Sequence, residues 1–447
     1  RKWLKYAVLE GLFSEVYHPA PMETTVDSVL SYDSEAKADV LKLENYEIKT
    51  FLGHPAGFSA YLSTFYLEAI AKVVDPHTSY FSAHEQEDFV DELSRDNYAF
   101  GIQLRENDKG VVLIHSLVPG SPAWISSELN KGDVVMNFKL GDTQTLDLSV
   151  AGIDEINLLF ENSNAEQLTM KIRKANGQEK EVHLEKGVVY VDQDVIKSVI
   201  LDGDKKVGYI TLPDFYTDWG YEGNYGCAND VAKILVKLQK ESIDGLILDL
   251  RNNGGGSLRE AIDLAGIFIN YGPVAIVQEE SREPKSIKDF NKGSIYDGPL
   301  VILVNGLSAS ASEIFTAAMQ DYNRAIVVGS TTYGKSTGQV ILPLDPRLLE
   351  VTQGLSAPDE SLGYLKITTS KYYRITKSTH QKEGITPDVA LPDVYDIYDY
   401  RESVYENALS KDSVDKKVYY TPSPNFPVQE LNSLSQNRLS QSSFGDS

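Results

Sequence analysis

The feature that most constrains this chain is an alternation running from about residue 200 to 392. Short apolar runs that read as strands take turns with helical patterns. "KVGYITLPDF" is followed by "NDVAKILVKLQK", with Val231, Leu235 and Leu238 on one face. "DGLILDL" is followed by the loop "RNNGGG" and by "SLREAIDLAGIFI", with Leu258, Ile262 and Ala265 at helical spacing. "PLVILVNG", "EIFTAAMQDY", "AIVVG" and "STGQVILPL" complete the series. Repeated strand–loop–helix units imply a largely parallel sheet with its sites at the strand ends.

The flanking regions have other signatures. Residues 1–97 read as helical, with stripes in "LKYAVLEGLF", "AYLSTFYLEAIAKVV" and "HEQEDFVDEL", broken by the turn-rich "DPHTSYFS" at 75–82. Residues 98–190 read as a small α+β module. Two short strands flank a polar turn in "AFGIQLRENDKGVVLIHSLV", and a short helix and a strand follow in "PGSPAWISSELNKGDVVMNF". "GIDEINLLFE" has helical spacing, and "QLTMKIRKANGQEKEVHLE" reads as a hairpin. Beyond residue 400 the chain turns polar, predicting a short helix and a loose tail over 401–447. A length of 447 residues suits two to four domains, and no internal repeat is visible.

Composition narrows the function classes. A formal net charge of −23 argues against nucleic acid or an anionic membrane as partner, since both would repel the chain. One cysteine, Cys227, excludes a disulfide framework, and the seven histidines show no metal-ligand spacing. No apolar run approaches the roughly 18 residues of a membrane span. The amphipathic opening lacks a signal peptide's apolar block, and the chain starts on Arg1 rather than methionine, so the expectation is a processed or trimmed chain from which any address label has been removed.

Three motifs carry candidate chemistry. "SASASE" (308–313) places serines at a strand-to-helix junction, where free amides and the helix dipole favour a developing anion. Ser310-x-x-Glu313 also matches a helix capping box, and spacing alone leaves Ser308, Ser310 and Ser312 open as nucleophile. "GSTTYGKS" (329–336) matches the phosphate-loop pattern, but "STGQVILPLDP" after it reads as a strand where a phosphate loop needs a helix. In a strand, Lys335, Thr337 and Gln339 share a face. A neutral lysine can take a serine's proton, which requires its pKa of about 10.4 to fall by roughly 3, about 4 kcal/mol, as burial can achieve. Gln339 could orient that amine without adding the charge that would raise its pKa. The glycines of "RNNGGG" permit close backbone approach and an oxyanion hole shared with the Ala311 amide. "YAFGIQL" (98–104) is a glycine turn into an edge strand that could take a peptide's carboxyl end as an added strand.

Taken together, "DPHTSYFS", "DLRNNGGGSL", "SASASEIFTAAMQDYNRAIVVG" and "TTYGKSTGQ" resemble the carboxyl-terminal processing, or tail-specific, serine proteases, and the likeness spans nearly the whole chain. The resemblance implies an α+β multidomain chain: an N-terminal helical domain (1–97), a PDZ domain (98–190), a protease core of crotonase-like α/β fold (191–400), and the C-terminal helix and tail. It implies Ser310 as nucleophile, Lys335 as base 25 residues later and Gln339 as its support. Ala311 and Gly255, the latter chosen over Gly256, are the implied oxyanion donors. Glu313, Asp321 and Thr332 fall at supporting positions. Phe100, Gly101, Ile102 and Leu104 are the implied peptide contacts, in a loop "AFGI" that departs from the usual Gly-Leu-Gly-Phe. The implied partners are proteins or peptides with apolar C-termini and an adaptor protein, with no cofactor or metal, in a periplasmic or exported location. The rivals are a non-catalytic PDZ scaffold on a hydrolase fold and a nucleotide hydrolase using Gly329–Ser336.

Overall fold

The computed structural model describes residues 58–82, 96–107, 111–141, 143, 145–148, 153, 156, 159, 165–174, 176–190, 196–217, 226–345, 362–397 and 400–441, together with Lys37. The expected stripes at "LKYAVLEGLF" and "HEQEDFVDEL" lie outside these residues. Helix α1 (Phe58–Val74) covers the predicted "AYLSTFYLEAIAKVV". It stops at Asp75, where Thr78 N–H donates to the Asp75 carbonyl (3.3 Å) and Pro76 cannot continue the ladder. Strand β1 (Ser79–Phe81) follows.

The small module begins at β2 (Asp96–Ala99). Next come β3 (Ile102–Glu106), β4 (Val112–Leu117), the short helix α2 (Pro122–Ser126), β5 (Val134–Leu140), β6 (Leu146–Asp147), β7 (Gln167–Arg173), β8 (Glu179–Glu185) and β9 (Gly187–Tyr190), which pairs with β2. The antiparallel order is β3-β4-β5-β7-β8, with β6 on β5, so β3 is an edge. Alternation sets the core: Leu168, Met170 and Ile172 of β7 point inward onto Ile114, Val135, Phe138 and Val182. "GIDEINLLFE" is helical where described, and Ile153, Ile156 and Leu159 pack on this core.

The larger region opens with β10 (Lys197–Asp202) and β11 (Lys206–Thr211). It continues through α3 (Cys227–Lys240), β12 (Gly245–Asp249), α4 (Leu258–Phe268), β13 (Gly272–Glu279), β14 (Lys285–Asp289) and β15 (Leu300–Val304). Then follow α5 (Ala311–Asp321), β16 (Ile326–Gly329), β17 (Thr337–Pro343), β18 (Tyr364–Tyr373) and β19 (Val389–Ala390). The sheet order β10-β11-β12-β15-β16-β19 is parallel except for the β10–β11 pair, as the alternation predicts. Its apolar strands share a core with Val231, Leu235, Leu264, Phe268, Phe315 and Met319 of the three helices.

The strand "STGQVILPL" departs from that expectation. β17 does not join the parallel sheet; it pairs antiparallel with β18 in a second sheet, β1-β18-β13-β14. The physical reason is length. Only seven residues separate β16 from β17, too few for the helical crossover a parallel neighbour needs. Helix α6 (Val428–Ser440) supplies the predicted C-terminal helix, and its Asn432 Nδ2 donates to the Asp388 carbonyl (2.6 Å).

Candidate active site

The three serines of "SASASE" have different fates. Ser308 Oγ donates to the Leu250 carbonyl (2.8 Å) and accepts from Asn305 N–H (3.0 Å), while Ser312 Oγ donates to Asn253 Oδ1 (2.8 Å). Both are fully buried. Ser310 is half-buried, directly after β15 and its loop, and immediately before α5. Its φ of 56° and ψ of −114° lie outside the usual basins of a non-glycine residue, a conformation costing on the order of 1–3 kcal/mol that surrounding contacts must hold.

The glycine loop is pressed against it. A Cβ on Gly255 would stand 2.8 Å from Ser310 Cβ and 2.9 Å from the Ala309 carbonyl oxygen, and φ is +111°, so both space and backbone require glycine. Asn253 fastens this loop to α5, because its Oδ1 accepts from Ser312 and also from Gly255 N–H (2.9 Å). The Gly255 amide, an expected oxyanion donor, is thus already given to an acceptor here. The Ala311 amide, at the first turn of α5, donates to no acceptor among the described residues.

The base candidate lies in the loop that leads into β17, two residues before that strand begins. Lys335 Nζ donates to Gln339 Oε1 (2.9 Å), across the spacing of four read from the sequence. Its pKa is pushed down to about 8, first by burial and then by Lys366, against Glu402, Glu313 and Asp75. No hydrogen bond joins Ser310 Oγ to Lys335 Nζ among the described residues.

Glu313 ties the two halves together. Its Oε2 accepts from the amides of both Ser310 and Lys335, each at 2.9 Å, and its Oε1 accepts from Gly334 N–H (2.7 Å) and Thr332 Oγ1 (2.5 Å). Complete burial pushes its carboxyl up to about 7, opposed by those four donors. The phosphate-loop alternative fails on the same bonds. The Gly334 and Lys335 amides that would cradle a phosphate are held by a carboxylate, and β17 stands where the helix should begin.

Residues 206–391 match the model of peptidase family S41. That segment, under half of the chain, is similar to the S41 peptidases. The "Tail-specific protease" of Haemophilus influenzae is 32% identical over 389 residues, 86% of this chain and 53% of the relative. A "Probable CtpA-like serine protease" of Staphylococcus aureus (strain bovine RF122 / ET3-1) is 30% identical over 364 residues, 79% of this chain and 65% of the relative. The chain thus spans about half the length of the first relative and under two thirds of the second. The solved "Photosystem II D1 C-terminal processing protease" aligns over 77% of this chain and 88% of its own, at 21% identity and a TM-score of 0.41.

Within the S41 core, Thr332 lies beside Glu313, but Asp321 sits at the far end of α5, roughly 16 Å from its start, paired with Arg374. Outside the core, Gly101 (φ +75°) turns the chain into edge strand β3; a Cβ there would strike the Ser121 side chain at 2.1 Å. Phe100 is buried, and Ile102 and Leu104 pack half-buried against the module's core.

Residues that the sequence reading missed surround the base. Gln339 Nε2 donates to Thr337 Oγ1 and Thr368 Oγ1, both at 3.0 Å. Glu402, in a 3-10 turn, accepts from Gln381 Nε2 (2.7 Å) and contacts His77 Nε2 (2.7 Å), while Gln381 Oε1 accepts from Ser336 N–H (2.7 Å). "DPHTSYFS" was the available signal for one side of this cluster; Thr368, Gln381 and Glu402 stand in no motif.

Proposed function

We propose that the chain is a serine endopeptidase that recognises and cleaves protein substrates from their C-terminal region. Neutral Lys335 takes the proton of Ser310 Oγ, which attacks the scissile carbonyl. The Ala311 amide stabilises the oxyanion, joined by Gly255 once its N–H leaves Asn253. Protonated Lys335 passes its proton to the leaving amine, and water then resolves the acyl-enzyme. Gln339 supports the amine. The observation carrying this reading is the single carboxylate oxygen of Glu313 that holds the amides of Ser310 and Lys335 together, beside an amine whose pKa burial lowers to about 8.

In the same reading residues 191–400 form a crotonase-like core, and residues 98–190 a PDZ module that takes an apolar C-terminus along β3, with Phe100, Gly101, Ile102 and Leu104 around it. Residues 1–97 form the N-terminal helical domain and 401–447 the C-terminal helix and tail. The protein works in an exported compartment, with an adaptor as a further partner. Among the described residues no helix is long and apolar enough to cross a membrane.

The test is incubation with an unfolded protein ending in an apolar segment, read by product masses. The wild-type chain should yield fragments, and Ser310→Ala and Lys335→Ala should yield none. Binding without cleavage by the wild type would favour the scaffold reading; fragments from the Lys335→Ala variant would remove the dyad.

A further inference from the structure

The turn at Asp75–Thr78 lies more than 250 residues from the candidate base in sequence, yet reaches it through an unbroken set of hydrogen bonds. β18 is the bridge. It pairs with β1 on one side (Ser79↔Lys366) and with β17 on the other, where Gln339 stands opposite Thr368. Lys335 Nζ donates to Gln339 Oε1 (2.9 Å), Gln339 Nε2 donates to Thr368 Oγ1 (3.0 Å), and Thr368 Oγ1 donates to Asp75 Oδ1 (3.0 Å). Asp75 is almost fully buried and also accepts from His77 N–H (2.9 Å) and from the Thr78 hydroxyl.

The direction of this chain follows from donor counting. An ionised carboxylate only accepts, and a threonine hydroxyl has one hydrogen. With that hydrogen committed to Asp75, Thr368 can only accept from its other neighbour. The Gln339 amide must therefore present its NH2 to Thr368 and its carbonyl to Lys335. The orientation matters chemically. Facing a carbonyl, a neutral amine donates one N–H and keeps its lone pair for the proton of Ser310. Facing an NH2, the lone pair would itself accept a hydrogen bond, and the base would be blocked.

We propose that Asp75, acting through Thr368, is a positioning residue that sets the orientation of the Gln339 amide and keeps the lone pair of Lys335 available. The proposal rests on the Ser310–Lys335 reading. It makes the base side of the site depend on a segment outside the S41 core of residues 206–391.

The experiment uses the full chain, steady-state cleavage of an unfolded protein ending in an apolar segment, and thermal unfolding as a folding control. Ser310→Ala and Lys335→Ala are measured alongside. Thr368→Val keeps the shape and removes the hydroxyl. Its kcat should fall about tenfold or more with KM within about threefold, and Thr368→Ser should recover most of the loss. Asp75→Asn should lower kcat similarly. It should also move the acid limb of the rate profile to lower pH, because a negative charge near the amine is gone while Lys366 on β18, Glu313 on α5, Glu402 in its 3-10 turn with His77 against it, and His380 remain. If Asp75→Asn does not fold, Thr368→Val and Thr368→Ser carry the test. Wild-type kcat in Thr368→Val, with Ser310→Ala and Lys335→Ala inactive, would overturn the positioning role. So would a Thr368→Ser variant as slow as Thr368→Val. Cleavage by Ser310→Ala or Lys335→Ala would instead remove the reading underneath.

Discussion

The two sides of the candidate site are built in opposite ways. The serine side is local. Ser310 sits between β15 and α5, and the glycine loop after β12 presses on it from the adjacent strand of the parallel sheet. The lysine side is assembled from remote pieces of the antiparallel sheet: Gln339 on β17, Thr368 on β18, and Asp75 from a turn 293 residues before Thr368. A βα loop can arrange a nucleophile within one strand–helix unit. Directing an amine takes several strands in register, because each of its neighbours must be satisfied in turn.

The largest effect expected separates the serines. Ser310→Ala should lower kcat by about 10⁴-fold or more with little change in melting temperature, measured in the same cleavage assay. Glu313→Gln attacks the link between the two sides. One of its oxygens becomes a donor facing N–H groups, so kcat should fall by about 10²-fold or more and stability by about 1–3 kcal/mol, read by denaturant unfolding.

Gly255→Ala strikes the serine side alone. The added Cβ meets Ser310 Cβ at 2.8 Å in a backbone region that disfavours side chains, and a loss of about 1–3 kcal/mol with impaired kcat is expected. Gln339→Glu strikes the lysine side alone. Wild-type kcat/KM should rise as pH climbs through about 8, because only the neutral amine acts as base. A carboxylate at 339 raises the amine's pKa, so this limb should move up by about 1–3 pH units. An unmoved limb would show that another group titrates there.

The smallest effects belong to Ser308→Ala and Ser312→Ala, whose hydroxyls make structural bonds. Each should cost about 1 kcal/mol of stability and leave kcat within a few-fold.

Sequence pattern reached far into this structure where the information is periodic. The helices at 227–240, 258–268 and 311–321 and the strands between them follow from apolar spacing. The hairpin at 167–185 follows from its turn residues. It reached less far where a strand chose between sheets. β17 was legible as a strand but not as a member of the antiparallel sheet, and Gly255 was legible as a close approach but not as an amide already held by Asn253.

By itself, then, the sequence determined the strand–helix alternation, a serine at a helix start, a glycine-rich loop that permits close backbone approach, and a lysine four residues from a glutamine. Tertiary structure decided which of three serines escapes full burial, and which distant groups surround the amine. The physical reason is that periodicity encodes which face of an element is buried, whereas a hydrogen bond between residues 293 apart depends on strand register, which no local spacing records.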